Sequence, residues 1–210
     1  MAKLNAPLFS FNASGKLAKA LVYFAWKGLD VVRSYVIPAN PKSTAQTTQR
    51  GYFKAAVDKI HEVMAAAGHP LTAADKAAYA ALASTRSTPR TWFNEITKLW
   101  ADVKVAAAVP VVYSDATISD KAHDSFDCIM YLNEETASQL ADGKFYFGTS
   151  KTALINTAAA TVVAGTSVAL TDEDLSAFLT AGEKYYMQFR PDAADPCEGA
   201  VSGIMSFVAE

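Results

Sequence analysis

The spacing of apolar residues changes twice along the chain. Between residues 8 and 37 it follows strands. Leu21-Val22-Tyr23-Phe24 and the run from Val31 to Ile37 are rich in β-branched and aromatic residues, and Asn12 to Gly15 and Lys27-Gly28 supply turn chemistry. Both faces of this hairpin or meander carry apolar residues, so at least one face needs cover from a helix or another chain. From residue 44 the period is helical. Tyr52, Phe53, Ala56, Val57, Ile60, Val63, Met64 and Ala67 recur at helical spacing, behind a Ser43-x-x-Gln46 capping pattern. Gly68 and Pro70 predict the stop. A second, Ala-rich helix is predicted over 73–83, with Thr72 and Asp75 as its capping pair. A third is predicted after Thr88, with Pro89 in first position. Its stripe of Trp92, Ile96, Leu99, Trp100 and Val103 reads as core.

Ala106-Ala107-Ala108-Val109-Pro110 marks the second change. Short strands are predicted at 109–113, 126–132, 144–147, 160–164, 166–170, 185–190 and 201–208, punctuated by Gly, Asp, Asn and Pro. Thr171-Asp172-Glu173-Asp174 predicts a short helical turn ending near Gly182. Strands at this spacing, with no βαβ pattern, indicate an antiparallel sandwich. The fold class read from the pattern is therefore α+β. A β-hairpin plus helical module spans 1–108, and an antiparallel immunoglobulin-like β-sandwich spans 109–210.

Composition agrees with a well-packed globular protein: 210 residues, 51% hydrophobic and only 19% charged. No apolar run reaches the roughly 18 residues of a membrane span. The first seven residues have no apolar core long enough for a secretion signal, so synthesis in a cytoplasm is expected. The net charge of −2 hides an asymmetry. Residues 1–110 hold 14 Lys+Arg and 6 Asp+Glu, whereas residues 111–210 hold 5 and 15. A chain of this kind can stack head to tail, or its halves can simply differ in surface. Cys128 reads as a small core residue and Cys197 lies in a Pro/Asp/Gly loop. Their pairing is left open.

The search for chemistry finds little. His61-Glu62 begins like the zinc-protease motif, but Ala65 stands where the second ligand belongs. Asp120, His123, Asp124 and Asp127 cluster, as an acidic loop before a strand does. Phosphate-binding glycine loops, nucleophile elbows and Cys-x-x-Cys pairs are absent from the sequence. No catalytic residue, metal ligand or cofactor is expected. Asn12-Ala13-Ser14 is a formal glycosylation triplet of the kind that arises by chance. Lys16, Lys19, Lys27, Arg33, Lys42, Arg50, Lys54 and Lys59 alternate with Tyr23, Trp26, Tyr35 and Tyr52, a mixture that suits nucleic acid. The charges are spread along the chain, however, and the acidic second half would repel phosphates. Nucleic acid is not the expected partner.

The densest signal lies between Trp26 and Arg50. Gly15-Lys16, Trp26-Lys27-Gly28, Arg33, Asn40-Pro41, Ala45-Gln46 and Gln49-Arg50 resemble a family of small phage and prophage virion-type proteins. The same elements occur in the same order in a related group of proteins from Bacteroidetes. The resemblance covers residues 8 to 55. Family members tend to have Thr after the Asn-Pro-basic step, where this chain has Ser43 and then Thr44. The resemblance implies a non-enzymatic structural role in a virus particle: a head decoration, head–tail connector or tail protein. The expected location is the virion, after synthesis in the host cytoplasm. The expected partners are other virion proteins, met as a homo-oligomer or symmetric array, with no membrane contact. The partner-binding residues would be Lys16, Lys19, Trp26, Lys27, Arg33, Tyr35, Asn40, Pro41, Gln46, Gln49 and Arg50. The rival expectation is a cellular or prophage-encoded module that holds a glycan or protein on its sandwich.

Overall fold

Apolar alternation along eight strands builds the largest core of this protein. The computed structural model describes residues 3–4, 13–17, 19–26, 29–37, 39–122, 124–171 and 173–210. In chain order the elements are β1 (Lys3–Leu4), β2 (Ala13–Leu17), β3 (Leu21–Trp26), β4 (Leu29–Ser34), α1 (Thr44–Met64), α2 (Ala73–Ser84) and α3 (Trp92–Val105). There follow β5 (Val111–Ser119), β6 (Asp127–Glu134), β7 (Gly143–Gly148), β8 (Asn156–Ala159), β9 (Thr161–Val163), β10 (Ser167–Leu170), β11 (Lys184–Pro191) and β12 (Met205–Val208). The class is mixed α+β and mostly β, and every strand pairing among the described residues is antiparallel.

Two compact units result, Met1–Ser43 and Thr44–Glu210. The first is a four-stranded sheet in the order β1-β2-β3-β4. The second holds the helices and two four-stranded sheets, ordered β5-β6-β10-β9 and β12-β11-β7-β8. Strand β6 shows why the two sheets face each other. Cys128, Met130, Leu132 and Glu134 are buried and their neighbours are less so, the period-2 pattern of a half-buried strand. Phe126, Phe145, Phe147, Val168, Leu170, Met187 and Phe189 join Cys128 and Met130 in one apolar cluster fed by both sheets.

A second cluster lies among the helices: Ala56, Ile60, Val63, Leu71, Tyr79, Ile96 and Trp100, closed by Val112 of β5. Trp100 is core, as its stripe predicted, and Trp92 packs against the cluster half-buried. The period change at 108/109 is therefore not a gap in the packing, and the compact units divide at 43/44 instead. Helix α2 is fastened across that point. Its N-terminus is a capping box, with Thr72 Oγ1 accepting the Asp75 N–H and the Asp75 carboxylate accepting the Thr72 N–H. The same carboxylate accepts the N–H groups of Asp115 and Ala116 at a bulge in β5. Further along α2, the Ala78 carbonyl accepts the Ile204 N–H at 2.9 Å.

Several boundaries differ from the sequence reading. Helix α1 ends at Met64, short of Gly68. Helix α3 begins three residues after Pro89, because Thr91 is the N-cap and accepts the Asn94 N–H. Residues 201–204 are not strand, since their backbone groups bond α2 and the Phe189–Ser202 pair. Strand β8 was not predicted. Its sequence is short and polar, and only Ala158 is buried. At the 171–182 connection turns form at Ser176–Phe178 and at Ala181–Gly182, with the Ser176 N–H bonded to the Asp174 carboxylate. Both cysteines are buried and free.

Candidate partner-binding surface

In the first unit, register decides which side chains meet. Lys16 pairs with Val22 and Val22 with Arg33, so these three form one row across β2, β3 and β4. Phe24 and Val31 form the next row on the same face. Gly15, Tyr23 and Val32 form a row on the opposite face. Two cation–π contacts bind the first face together. The Arg33 guanidinium lies 5.2 Å from the Phe24 ring centre, and Lys16 Nζ lies 4.8 Å from that of Tyr35. The Tyr35 N–H donates to the Ala20 carbonyl at 2.7 Å, which holds the end of β4.

Among the residues of this sheet whose burial is described, none is buried, and Leu21 through Phe24 are only half-covered. Val32 is 50% exposed, Val36 70% and Ile37 74%. Apolar side chains are thus partly exposed on both faces, Val22, Phe24 and Val31 on one and Tyr23 and Val32 on the other.

Helix α1 carries a second open surface, within the other unit. Positions 46, 49, 53, 56, 60 and 63 step by three and four residues, the spacing of one continuous seam. Ala56, Ile60 and Val63 are buried. Gln46, Gln49 and Phe53 continue the same seam past the end of the body, and Phe53 is 58% exposed. From Thr44 to Lys54 no residue is buried. An isolated helix of about 11 residues is marginal in water, because nucleation is costly. A covering surface would stabilise this stretch.

The expected contact residues distribute as follows. Lys16, Arg33 and Tyr35 meet on one face of the sheet. Lys19 is exposed at a turn with φ of 59°, in the left-handed region. Trp26 ends β3 in register with Leu29, and Lys27 lies outside the described residues. Asn40 and Pro41 are exposed in the segment before α1, and Gln46, Gln49 and Arg50 are exposed on its first two turns. The residue that the sequence reading missed is Phe53. Its helical spacing marked it as core, yet the body stops one turn short of it.

Charge gives the region its sign, with 9 Lys+Arg against 2 Asp+Glu over residues 1–60. Among the described residues no group of three His, Cys, Asp or Glu side chains is placed to hold a metal ion. No described helix is long and apolar enough to cross a membrane. Comparison with protein-family models, with curated proteins and with solved structures finds no match to this chain.

Proposed function

We propose that this chain is a non-enzymatic structural subunit of a bacteriophage virion, joined to neighbouring subunits through its N-terminal region. The observation that carries the reading is the open sheet of Met1–Ser43 together with the exposed Gln46-Gln49-Phe53 seam. A sheet with apolar residues on two uncovered faces gains stability when another chain covers one of them. Aromatic and Arg side chains are common anchors of such interfaces, and Arg33, Phe24 and Tyr35 gather here. In this reading β3 and β4 form the contact hairpin.

We propose further that the two-sheet body is immunoglobulin-like. Lettering β5 to β12 as A, B, C, C′, D, E, F and G turns the sheet orders into A-B-E-D and G-F-C-C′, the arrangement of that fold. Support comes from Tyr185, the second residue of strand F. Its phenol oxygen accepts the Thr180 N–H at 2.9 Å, the local bond of a tyrosine corner. Cys128 lies in strand B, where the inter-sheet disulfide of antibody domains begins. Met187 of strand F, two residues after Tyr185, replaces the second cysteine.

The test is mass spectrometry of purified particles, combined with the oligomeric state of wild-type and Arg33→Glu/Phe53→Glu chains. The reading expects the chain in the particle, wild-type self-association or particle joining, and loss of both in the variant. Melting should change little, because exposed substitutions usually cost no more than about 0.5 kcal/mol. A monomer absent from particles, or a variant that assembles like wild type, would defeat it. A monomer that retains a soluble ligand would instead favour the glycan- or protein-binding module.

A further inference from the structure

Basic side chains converge at one place in the otherwise acidic second half. Residues 111–210 contain 5 Lys+Arg against 15 Asp+Glu, yet two of those five, Lys151 and Arg190, meet Arg86 around a cavity of about 410 Å³. The volume is that of a small-molecule site. Three separate elements supply the cations: the end of α2, the β7–β8 connection and β11. Leu82, Val201 and Ile204 give the cavity an apolar floor, and the Thr85 and Thr152 hydroxyls belong to its wall. No carboxylate lines it.

Each cation is held in place by one bond that leaves other N–H groups available. Lys151 Nζ donates to Ser84 Oγ at 2.8 Å. Arg190 Nε donates to Gln188 Oε1 at 2.9 Å, and its guanidinium lies 4.5 Å from the Tyr146 ring centre. Gln188 is buried and fixed in turn by donating to the Ser202 carbonyl. Arg86 Nε donates to Glu95 Oε1 at 2.9 Å. Glu95 also faces Arg90 at 3.4 Å, so one carboxylate is set against two guanidiniums. Among the described residues neither Lys151 nor Arg190 has a carboxylate partner. The C-terminal end of α2, whose last residue Ser84 takes the Lys151 bond, attracts cations, but Arg190 bonds the Gln188 amide on β11, so that end does not account for the whole grouping.

We infer that this cavity binds a small oxyanion, a carboxylate, sulfate or phosphate group, either free or carried on a sugar. Fixed guanidiniums and an ammonium over an apolar floor match such a group through charge-assisted hydrogen bonds. A long polyanion is disfavoured, because the 15 Asp+Glu against 5 Lys+Arg of residues 111–210 would repel its remaining charges. The inference concerns a different surface from the proposed assembly region and does not depend on it.

The test is amide NMR titration of the full chain with sodium sulfate, sodium phosphate, glucuronate and glucose. The expected result is saturable shifts around residues 84–86, 150–152 and 188–190, with a dissociation constant on the order of 1 mM or tighter for at least one anion. Glucuronate binding more tightly than both inorganic ions would identify an acidic sugar. Sulfate or phosphate binding as tightly would identify a free ion. Lys151→Ala removes an exposed side chain and should weaken binding about tenfold with melting unchanged. Arg190→Gln should weaken it at least as much. Absence of saturable shifts with all three anions, equal shifts with glucose, or wild-type affinity in folded Lys151→Ala would each overturn the inference.

Discussion

The carboxylate of Asp75 accepts the backbone N–H of Asp115 at 2.8 Å, and this bond joins the first turn of α2 to the bulge of β5. The same side chain accepts from the Thr72 N–H, the Thr72 hydroxyl and the Ala116 N–H, and it is buried. Replacing it with asparagine turns one accepting oxygen into a donor that faces other donors. Asp75→Asn should destabilise the chain by about 2–4 kcal/mol. Denaturant unfolding would measure it, and a loss below about 0.5 kcal/mol would show that the bulge is held by other means.

Gly203 is where the chain passes closest to α2. A Cβ there would sit 2.7 Å from the Ala78 carbonyl carbon and 2.8 Å from the Tyr79 nitrogen, both backbone atoms. Gly203→Ala should therefore cost about 1–3 kcal/mol. Gly51 in α1 has nothing within 4 Å of its added Cβ. Gly51→Ala should do the opposite and stabilise by about 0.5–1 kcal/mol, through helix propensity. Paired melting curves would show the two signs.

Four buried acids make the fold sensitive to alkali. Burial raises Tyr79 and Tyr113 above the ordinary 10.0. Burial, with Asp127 nearby, raises Cys128 above 9.0, and burial, with Asp195 and Glu134, pushes Cys197 up to about 12. The folded chain therefore keeps protons that the unfolded chain has already released. Stability is fully present below pH 9 and falls as pH rises through 9–12. Cys197→Ala should make the decline shallower. An equally steep loss in that variant would place the effect on Tyr79, Tyr113 and Cys128.

The packing at 108/109 gives a fourth expectation. Residues 44–210 expressed alone should fold with the melting behaviour of the whole chain. Residues 111–210 alone lose the cover of α2 over Val112, Gly203 and Ile204. That fragment should be insoluble or markedly less stable. If it folds with native-like β circular dichroism, the helices are an accessory layer rather than part of the folding unit.

What the sequence made legible was whatever repeats at short range. The capping box of Thr72 and Asp75 marked the start of α2, and the apolar run of 126–132 pointed to β6. What it hid depends on partners distant in the chain. Residues 201–204 have the composition of a strand, yet Ile204 bonds Ala78 of α2 while Ser202 bonds Gln188 and Phe189. Phe53 has the spacing of a core residue, yet the body ends before reaching it. Lys151 and Arg190 are 39 positions apart, and neither lies in a motif, so the basic cavity had no signal along the chain. Period and charge both change at 108/109, but packing continues through that point, and the compact units divide at 43/44.

The two thiols have a consequence for how the protein responds to oxidation. The chain has 2 cysteines and both are buried in the two-sheet core cluster, one from β6 and one from the 192–200 loop. Nothing on its surface can be oxidised to a disulfide or exchanged with glutathione. A fold formed under reducing conditions thus persists under oxidising ones without forming a disulfide. It also means that one cysteine introduced at an exposed site would be the sole reactive handle on the native chain.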